Sequence, residues 1–201
     1  MFVYPGTGLV QKGYDDLIEK GLKYLYLMKG THIVTEDYGY VIINQAIKII
    51  GAGRDQTFVK GDGFRIKGKK EEGKDVVLKD MTISETSKDG VAGRDGLSWL
   101  CDSLTITQCG RSGVWAYDTK GRLINCVITQ CGVSGVSCYK NALIELEGDQ
   151  TKVDGNGEYG LFTLTESIIH LLFPLTKESV STNNGGSNYG GRGTIETVNS
   201  F

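Results

Sequence analysis

One segment of the chain is nearly repeated, and this repeat constrains the fold more than any other feature. Residues 105–117 read TITQCGRSGVWAY and residues 127–139 read VITQCGVSGVSCY, so the two copies lie 22 positions apart. An earlier segment, MTISETSKDGVAG at residues 81–93, fits the same register. Alternating apolar residues within a fixed period near 22 are typical of a parallel β-helix, in which each repeat forms one coil.

The aligned copies place apolar residues in columns. Three such columns are Met81, Leu104 and Cys126; Ile83, Ile106 and Ile128; and Val91, Val114 and Val136. A single coil cannot bury its apolar face, so stacked coils must share a continuous core. A leucine-rich repeat has a similar period, but its Asn/Leu signature and helical half are missing here. We therefore predict an all-β, single-stranded parallel β-helix of about 22–25 residues per coil.

The chain length of 201 residues suits a single domain. We divide it into an N-terminal cap at 1–29, coils at 30–182, and a C-terminal loop with a closing strand at 183–201. The cap is predicted to hold a short helix that starts at Asp15 or Asp16 and carries Leu17, Ile18 and Leu22 at helical spacing. The charged segment 67–75 is predicted as a solvated loop between coils.

Composition excludes several classes of protein. A net charge of −2 argues against a general nucleic-acid binder, and no apolar run is long enough to span a membrane. The first residues, MFVYPGTG, lack the pattern of a signal peptide, so we expect a cytoplasmic or virion-associated protein rather than a secreted one. Cys109 and Cys131 occupy the same place in two copies, which leaves open a ladder of buried thiols or a disulfide.

Two stretches carry a resemblance to known proteins. LYLMKGTH at 25–32 and IKIIGAGRDQT at 47–57 resemble the opening coils of right-handed parallel β-helix proteins of the pectate-lyase-like class. The closing stretch at 174–198 resembles the ends of β-helix proteins of algae and large DNA viruses. The resemblance implies a right-handed helix and permits a place in a virion, but fold does not fix function.

The register also predicts one exposed patch. If Val114 and Ala116 point inward, Trp115 and Tyr117 point outward, and neighbouring coils add further residues. The predicted patch consists of Arg94, Asp95, Trp115, Tyr117, Asp118, Tyr139 and Lys140. Its aromatic rings can stack on sugars, and its charged groups can bind hydroxyls or carboxylates. The same residues could instead form a stabilising side-chain ladder or an interface with a partner protein.

No established catalytic or metal-binding motif accompanies the patch. The Gly-His-Gly and Asp-Pro-His motifs of related polysaccharide-modifying enzymes are absent. His32 and His170 have no partner at ligand spacing, and His170 is interpreted as a packed strand histidine. We predict no metal and no cofactor.

Two functions follow as hypotheses. The first is a non-enzymatic structural or binding β-helix module that binds a polysaccharide, or protein partners in a larger assembly or virion, with oligomerisation allowed. The alternative is a polysaccharide lyase, epimerase or hydrolase with an atypical site, for which Asp95 and Asp118 are the candidate catalytic carboxylates.

Overall fold

A computed structural model describes residues 1–35, 40–69 and 74–199. The two helices of these residues are α1 (Leu9–Glu19) and α2 (Lys177–Val180). The strands are, in chain order, β1 (Phe2–Val3), β2 (Gly6–Thr7), β3 (Tyr24–Leu27), β4 (Gly30–Ile33), β5 (Tyr40–Ile43), β6 (Lys48–Ile50), β7 (Thr57–Gly61), β8 (Gly63–Lys67), β9 (Val76–Thr86), β10 (Val91–Arg94), β11 (Trp99–Thr107), β12 (Val114–Tyr117), β13 (Lys120–Ile124), β14 (Val127–Thr129), β15 (Ser134–Tyr139), β16 (Leu143–Glu147), β17 (Lys152–Asp154), β18 (Tyr159–Thr163), β19 (Ile168–Leu172), β20 (Ser181–Thr182), β21 (Ser187–Gly191) and β22 (Thr194–Val198).

The strands wind into a parallel β-solenoid of about eight turns, as the repeat predicted. Each full coil contributes to three faces. Face 1 runs in the order β1-β3-β6-β9-β11-β13-β16-β19-β22, and face 3 is the seven-stranded sheet β5-β8-β10-β12-β15-β18-β21. Face 2 contains β2, β4, β7, β14, β17 and β20, and it joins face 1 because the long strands β9 and β11 continue around the corner.

The predicted interior columns are confirmed by the strand register. Ile106 pairs with Ile83 on one side and with Ile128 on the other, and all three side chains are fully buried. Val114 likewise lies between Val91 and Val136. Because every coil adds one residue to each column, the apolar side chains form one continuous core along the solenoid axis.

The three corners of each coil use left-handed backbone at equivalent positions. Among the described residues, nine of the twelve non-glycine residues with positive φ form three series, namely Asp80, Ser103 and Asn125; Glu85, Gln108 and Gln130; and Asp95, Asp118 and Lys140. Each corner therefore turns the chain with one left-handed residue, a conformation that Asn and Asp tolerate better than most residues. The last series holds three of the residues in the predicted patch.

The glycine of the repeated Gly-Val pair is required by close packing. A Cβ on Gly113 would lie 2.4 Å from Ile128 Cγ2 and 2.9 Å from the carbonyl oxygen of Gly135. Gly90 has the equivalent contact, with its Cβ position 2.6 Å from Ile106 Cγ2. The repeat keeps glycine here because neighbouring coils approach too closely for any side chain.

The N-terminal helix differs from its predicted start. Helix α1 begins at Leu9 with Gly8 as its N-cap residue, so the prediction of a start at Asp15 or Asp16 was wrong. Val10, Tyr14 and Leu17 form the buried face of the helix and pack it against the first coil. Both aspartates lie in its interior. The segment predicted as the cap, residues 1–29, also supplies the strands β1, β2 and β3 to the sheet.

Other segments add detail at the ends and in the core. The C-terminal segment 183–201, predicted as a loop and a closing strand, contains the two strands β21 and β22. Of the predicted loop 67–75, residues 70–73 lie outside the described residues. Among the described residues there is no helix with the length and apolar character needed to cross a membrane.

The five cysteines are buried and free of disulfide bonds. Cys109 and Cys131 lie in adjacent coils, where the N–H of Gly132 donates to the carbonyl of Cys109 over 2.8 Å. Burial raises the pKa of the Cys126 thiol to about 12, and that of Cys138 also to about 12. Both thiols are therefore protonated and unreactive at neutral pH.

Candidate functional site

The three aromatic residues of the predicted patch come together on the outer side of face 3. Val114 and Ala116 are fully buried, whereas Trp115 and Tyr117 between and beside them face outward and are half-buried. The rings of Trp115 and Tyr117 stack with centroids 5.7 Å apart, and the Trp115 ring lies 6.0 Å from that of Tyr139. The inside-outside register predicted for this strand is therefore confirmed.

The aromatic row is longer than the sequence predicted. Tyr139 contacts Phe162 of the next coil, with ring centroids 5.9 Å apart, and Phe162 contacts Tyr159 over 4.9 Å. Phe162 pairs with Ser137 in the register, one column away from Tyr139. The signal was the pair Gly160 and Leu161, which aligns with Gly135 and Val136 and leaves Tyr159 and Phe162 outside the core.

The charged residues of the patch lie at the corner between faces 3 and 1 and form two ion pairs. Arg94 Nε lies 2.7 Å from the carboxylate of Asp95, and Lys140 Nζ lies 3.5 Å from that of Asp118. Lys140 also lies over the Tyr117 ring, 5.1 Å from its centroid. The Tyr117 hydroxyl and the Asp118 carboxylate both raise the pKa of Lys140, so this lysine stays charged.

A groove lies on face 1, directly across the corner from the aromatic row. Its volume is about 710 Å³. Asp118 and Thr119 form its edge at the corner, and the polar side chains Lys120, Arg122 and Glu145 line its floor. Asp118 is thus shared between the predicted patch and the groove, which the sequence reasoning missed.

Glu145 is the most enclosed charged group in the groove. Its side chain is 13% exposed and contacts Arg122, whose Nη2 lies 2.9 Å from Oε2, and Lys120, whose Nζ lies 3.5 Å from Oε1. Arg122 also reaches Glu147 over 3.8 Å. This pair was not predicted from the sequence. An offset of 23 residues aligns Arg122 with Glu145, and the strand register places the two residues side by side on adjacent strands.

The outward column of Arg122 and Glu145 continues to His170, and this position corrects the interpretation of His170 as a packed strand histidine. His170 pairs with Glu145 on one side and with Glu196 on the other. Its side chain is 24% exposed, and its Nε2 lies 3.4 Å from Glu196 Oε1. It is therefore not a packed interior histidine. The apolar neighbours in SIIHLLF reflect the alternation of the strand, in which His170 occupies an outward position.

The site has no metal-binding geometry. Across residues 1–35, 40–69 and 74–199, no group of three or more His, Cys, Asp or Glu side chains is placed to hold a metal ion. The two cations, Lys120 and Arg122, are instead paired with carboxylates, because both contact Glu145 and Arg122 also contacts Glu147. What the groove offers is a set of hydrogen-bond donors and acceptors beside a row of aromatic rings.

Comparison with known proteins identifies the fold family. A family model described as a right handed beta helix region matches residues 27–172. The chain belongs to this family. Its right-handedness, which the sequence implied through resemblance, is thereby confirmed. A search of curated proteins gave no match.

Two solved structures are similar to this β-helix. The A-module of the mannuronan C-5 epimerase AlgE4 from Azotobacter vinelandii gives a TM-score of 0.57 at 14% sequence identity, covering 90% of this chain and 54% of that chain. The PL6 family alginate lyase AlyGC gives a TM-score of 0.47 at 9% identity, covering 98% of this chain and 39% of that one. This chain thus spans about half of the first structure and less of the second. At such identities the likeness concerns the fold.

Proposed function

We propose that this β-helix is a polysaccharide-binding module that holds a sugar chain in the face 1 groove. The observation that carries the proposal is the groove itself, which adjoins a row of aromatic rings and shares Asp118 with their corner. Ligand sites are typically concave, with a few polar groups placed to fix orientation. Each strand that forms the groove pairs with a neighbouring strand on both sides, so the backbone of the site is organised before any ligand binds.

The chemistry of the groove suits hydroxyl groups. Lys120 and Arg122 are donors, and Glu145 is an acceptor that bridges them. A sugar hydroxyl both donates and accepts, so it can insert between such groups without leaving a charge unpaired. Across the corner, the half-buried rings of Trp115 and Tyr117 offer apolar surface for a sugar ring.

A second candidate function is catalysis, and one contact favours it. Glu145 lies between two cations inside the groove. Lyase and epimerase reactions need a base together with a cation that lowers the pKa of the sugar proton to be removed. Asp95 and Asp118, the carboxylates predicted for this role, are more exposed, and each is paired with a neighbouring cation. Glu145 is thus the better placed of these carboxylates.

The experiment measures binding of the purified protein to a panel of neutral and acidic polysaccharides by isothermal titration calorimetry. Two variants probe the site. Trp115→Ala removes a ring from the row, and Glu145→Gln removes the charge that bridges the groove cations. The matched control is Phe173→Ala, which removes an aromatic side chain that is 66% exposed and lies outside both surfaces.

We expect each site variant to weaken binding by roughly 3- to 10-fold, the range of one ring contact or one charged hydrogen bond. The control should bind as the native protein does. Absence of binding to every polymer would refute the proposal and move the search to protein partners in an assembly. Formation of product from any bound polymer, lost in Glu145→Gln, would replace the binding function by the catalytic one.

A further inference from the structure

The outer side of face 1 continues from the groove toward the N-terminus without a break. Strand pairing places Tyr24, Lys48, Val77, Leu100 and Arg122 in one column across successive coils. The distance from Tyr24 to Arg122 is four strand spacings of about 4.8 Å, or about 19 Å. A linear polymer lying along this column would pass over all of these residues.

A second depression lies at the N-terminal end of this column. Its volume is about 450 Å³, and it is lined by Lys23, Tyr24, Gln45, Lys48 and Lys74 among others. Asp75 lines both this depression and the central groove, so the two are contiguous. Neither was predicted from the sequence.

Exposed aromatic rings accompany the depression. Tyr24 is 45% exposed and Phe2 is 63% exposed. Tyr24 and Tyr26 stack with centroids 6.3 Å apart and an interplanar angle of 12°, and Phe2 stacks on Tyr26 over 5.4 Å. The rings therefore form a platform beside the lysines.

The lysines of this end differ from the cations of the central groove. Lys48 lies over the Tyr24 ring, 5.4 Å from its centroid, and within the described part of the chain neither Lys23 nor Lys48 forms an ion pair. Lys120 and Arg122, by contrast, are both paired with Glu145. A cation without a carboxylate partner is available to an anion from outside the protein.

We propose that this N-terminal depression is an anion subsite, which binds a carboxylate or sulfate group on the same polysaccharide that fills the central groove. The inference rests on the proposed function and narrows its ligand to an anionic polysaccharide. The aromatic platform holds the sugar ring, Lys23 and Lys48 contact its acidic substituent, and the neutralised central groove binds hydroxyls of the following rings. The N-terminal depression would therefore distinguish charged from neutral polysaccharides, whereas the central groove would not.

The test uses three polymers with one backbone, namely hydroxyethyl cellulose, carboxymethyl cellulose and cellulose sulfate, titrated into the full chain. The variant Lys23→Met/Lys48→Met removes both cations but keeps the length of their side chains. Its matched control is Lys177→Met/Lys152→Met, which makes the same change in net charge away from face 1. Lys177 lies over the ring of Tyr189, 5.5 Å from its centroid, as Lys48 lies over Tyr24.

We expect the native protein to bind at least one charged polymer about 10-fold more tightly than the neutral one, and the difference to shrink as salt increases. The preference should disappear in the Lys23/Lys48 variant and persist in the control. Whether carboxymethyl cellulose or cellulose sulfate binds more tightly identifies the anion that the subsite prefers.

Two results would overturn the inference. Equal binding of all three polymers that is weakened by Trp115→Ala would leave the proposed function intact and remove the anion subsite. A charge preference that survives in the Lys23/Lys48 variant would place anion recognition elsewhere. The proposed function and the subsite fail together if none of these three polymers binds and the panel of neutral and acidic polysaccharides also gives no binding.

Discussion

Replacing Ile106 by Ala tests the interior register of the whole solenoid. Ile106 is fully buried in a column between Ile83 and Ile128, and the substitution removes three of its carbon atoms. At about 0.8 kcal/mol for each buried carbon, the lost transfer free energy is about 2.4 kcal/mol. A residual cavity of about 50 Å³ adds about 1.2 kcal/mol, because the rigid coils above and below cannot collapse into it. The free energy of unfolding should therefore fall by about 3.6 kcal/mol.

The assay is urea unfolding followed by tryptophan fluorescence. With an m-value of about 2.5 kcal/mol/M for a chain of this size, the midpoint should fall by about 1.4 M while the m-value stays constant. Thr105→Ala is the control, because Thr105 is the adjacent residue of the same strand and faces outward. It should cost less than about 1 kcal/mol. Ile106→Asp should yield no folded protein, because it would leave an unpaired charge in the core. Equal losses in Ile106→Ala and Thr105→Ala would refute the assigned register.

Two further substitutions test specific contacts inside the stack. His32 is buried, its Nε2 donates to the carbonyl of Met28 over 2.8 Å, and burial lowers its pKa, so the unfolded chain binds a proton more readily. The stability that the neutral imidazole contributes is present above about pH 6.5 and is lost as the pH falls below that value. In His32→Gln, the free energy of unfolding by urea should therefore depend less steeply on pH between pH 7 and 5, by up to about 1.4 kcal/mol per pH unit. An unchanged slope would contradict this assignment. Gly113→Ala should cost about 1–3 kcal/mol by forcing a Cβ against Ile128, whereas Gly155→Ala, with φ at 65° and open space around its Cβ, should cost about 1 kcal/mol from backbone strain alone. A thermal denaturation midpoint of Gly113→Ala equal to that of the native protein would show that the coils can separate.

The interior of this protein could be predicted from the sequence because it repeats. Every coil must place an apolar side chain above the one before it, so Ile83, Ile106 and Ile128 recur at a nearly constant offset. The same constraint fixes the outward direction of Trp115 and Tyr117, which alternate with interior residues. Close packing allows few side chains at each interior position, so a short sequence pattern is enough to predict which residues are buried.

The outer face could be predicted only where it adjoins the repeat. Nothing requires an outward residue to match its neighbour, and coils after the repeat are lengthened by insertions. Arg122 and Glu145 are 23 residues apart, Glu145 and His170 are 25 apart, and His170 and Glu196 are 26 apart, yet the register stacks all four. An alignment with a fixed period therefore does not place these four residues in one column. Helix α1 was predicted but its start was wrong for a related reason, since that start depends on Gly8 and on burial against the first coil rather than on a side-chain cap.

The distribution of charge on face 1 limits what net charge can say about ligands. A value of −2 for the chain describes an average over its whole surface and disfavours binding to a uniform polyanion by long-range attraction. The average hides a local difference, because Lys120 and Arg122 are paired with Glu145 and Glu147, whereas Lys23 and Lys48 form no ion pair within the described residues. Contacts shorter than a Debye length depend on these local charges and only weakly on the total. A weakly acidic protein can therefore select an anionic polymer through one end of its groove, and the lysine variants distinguish such local recognition from a general attraction.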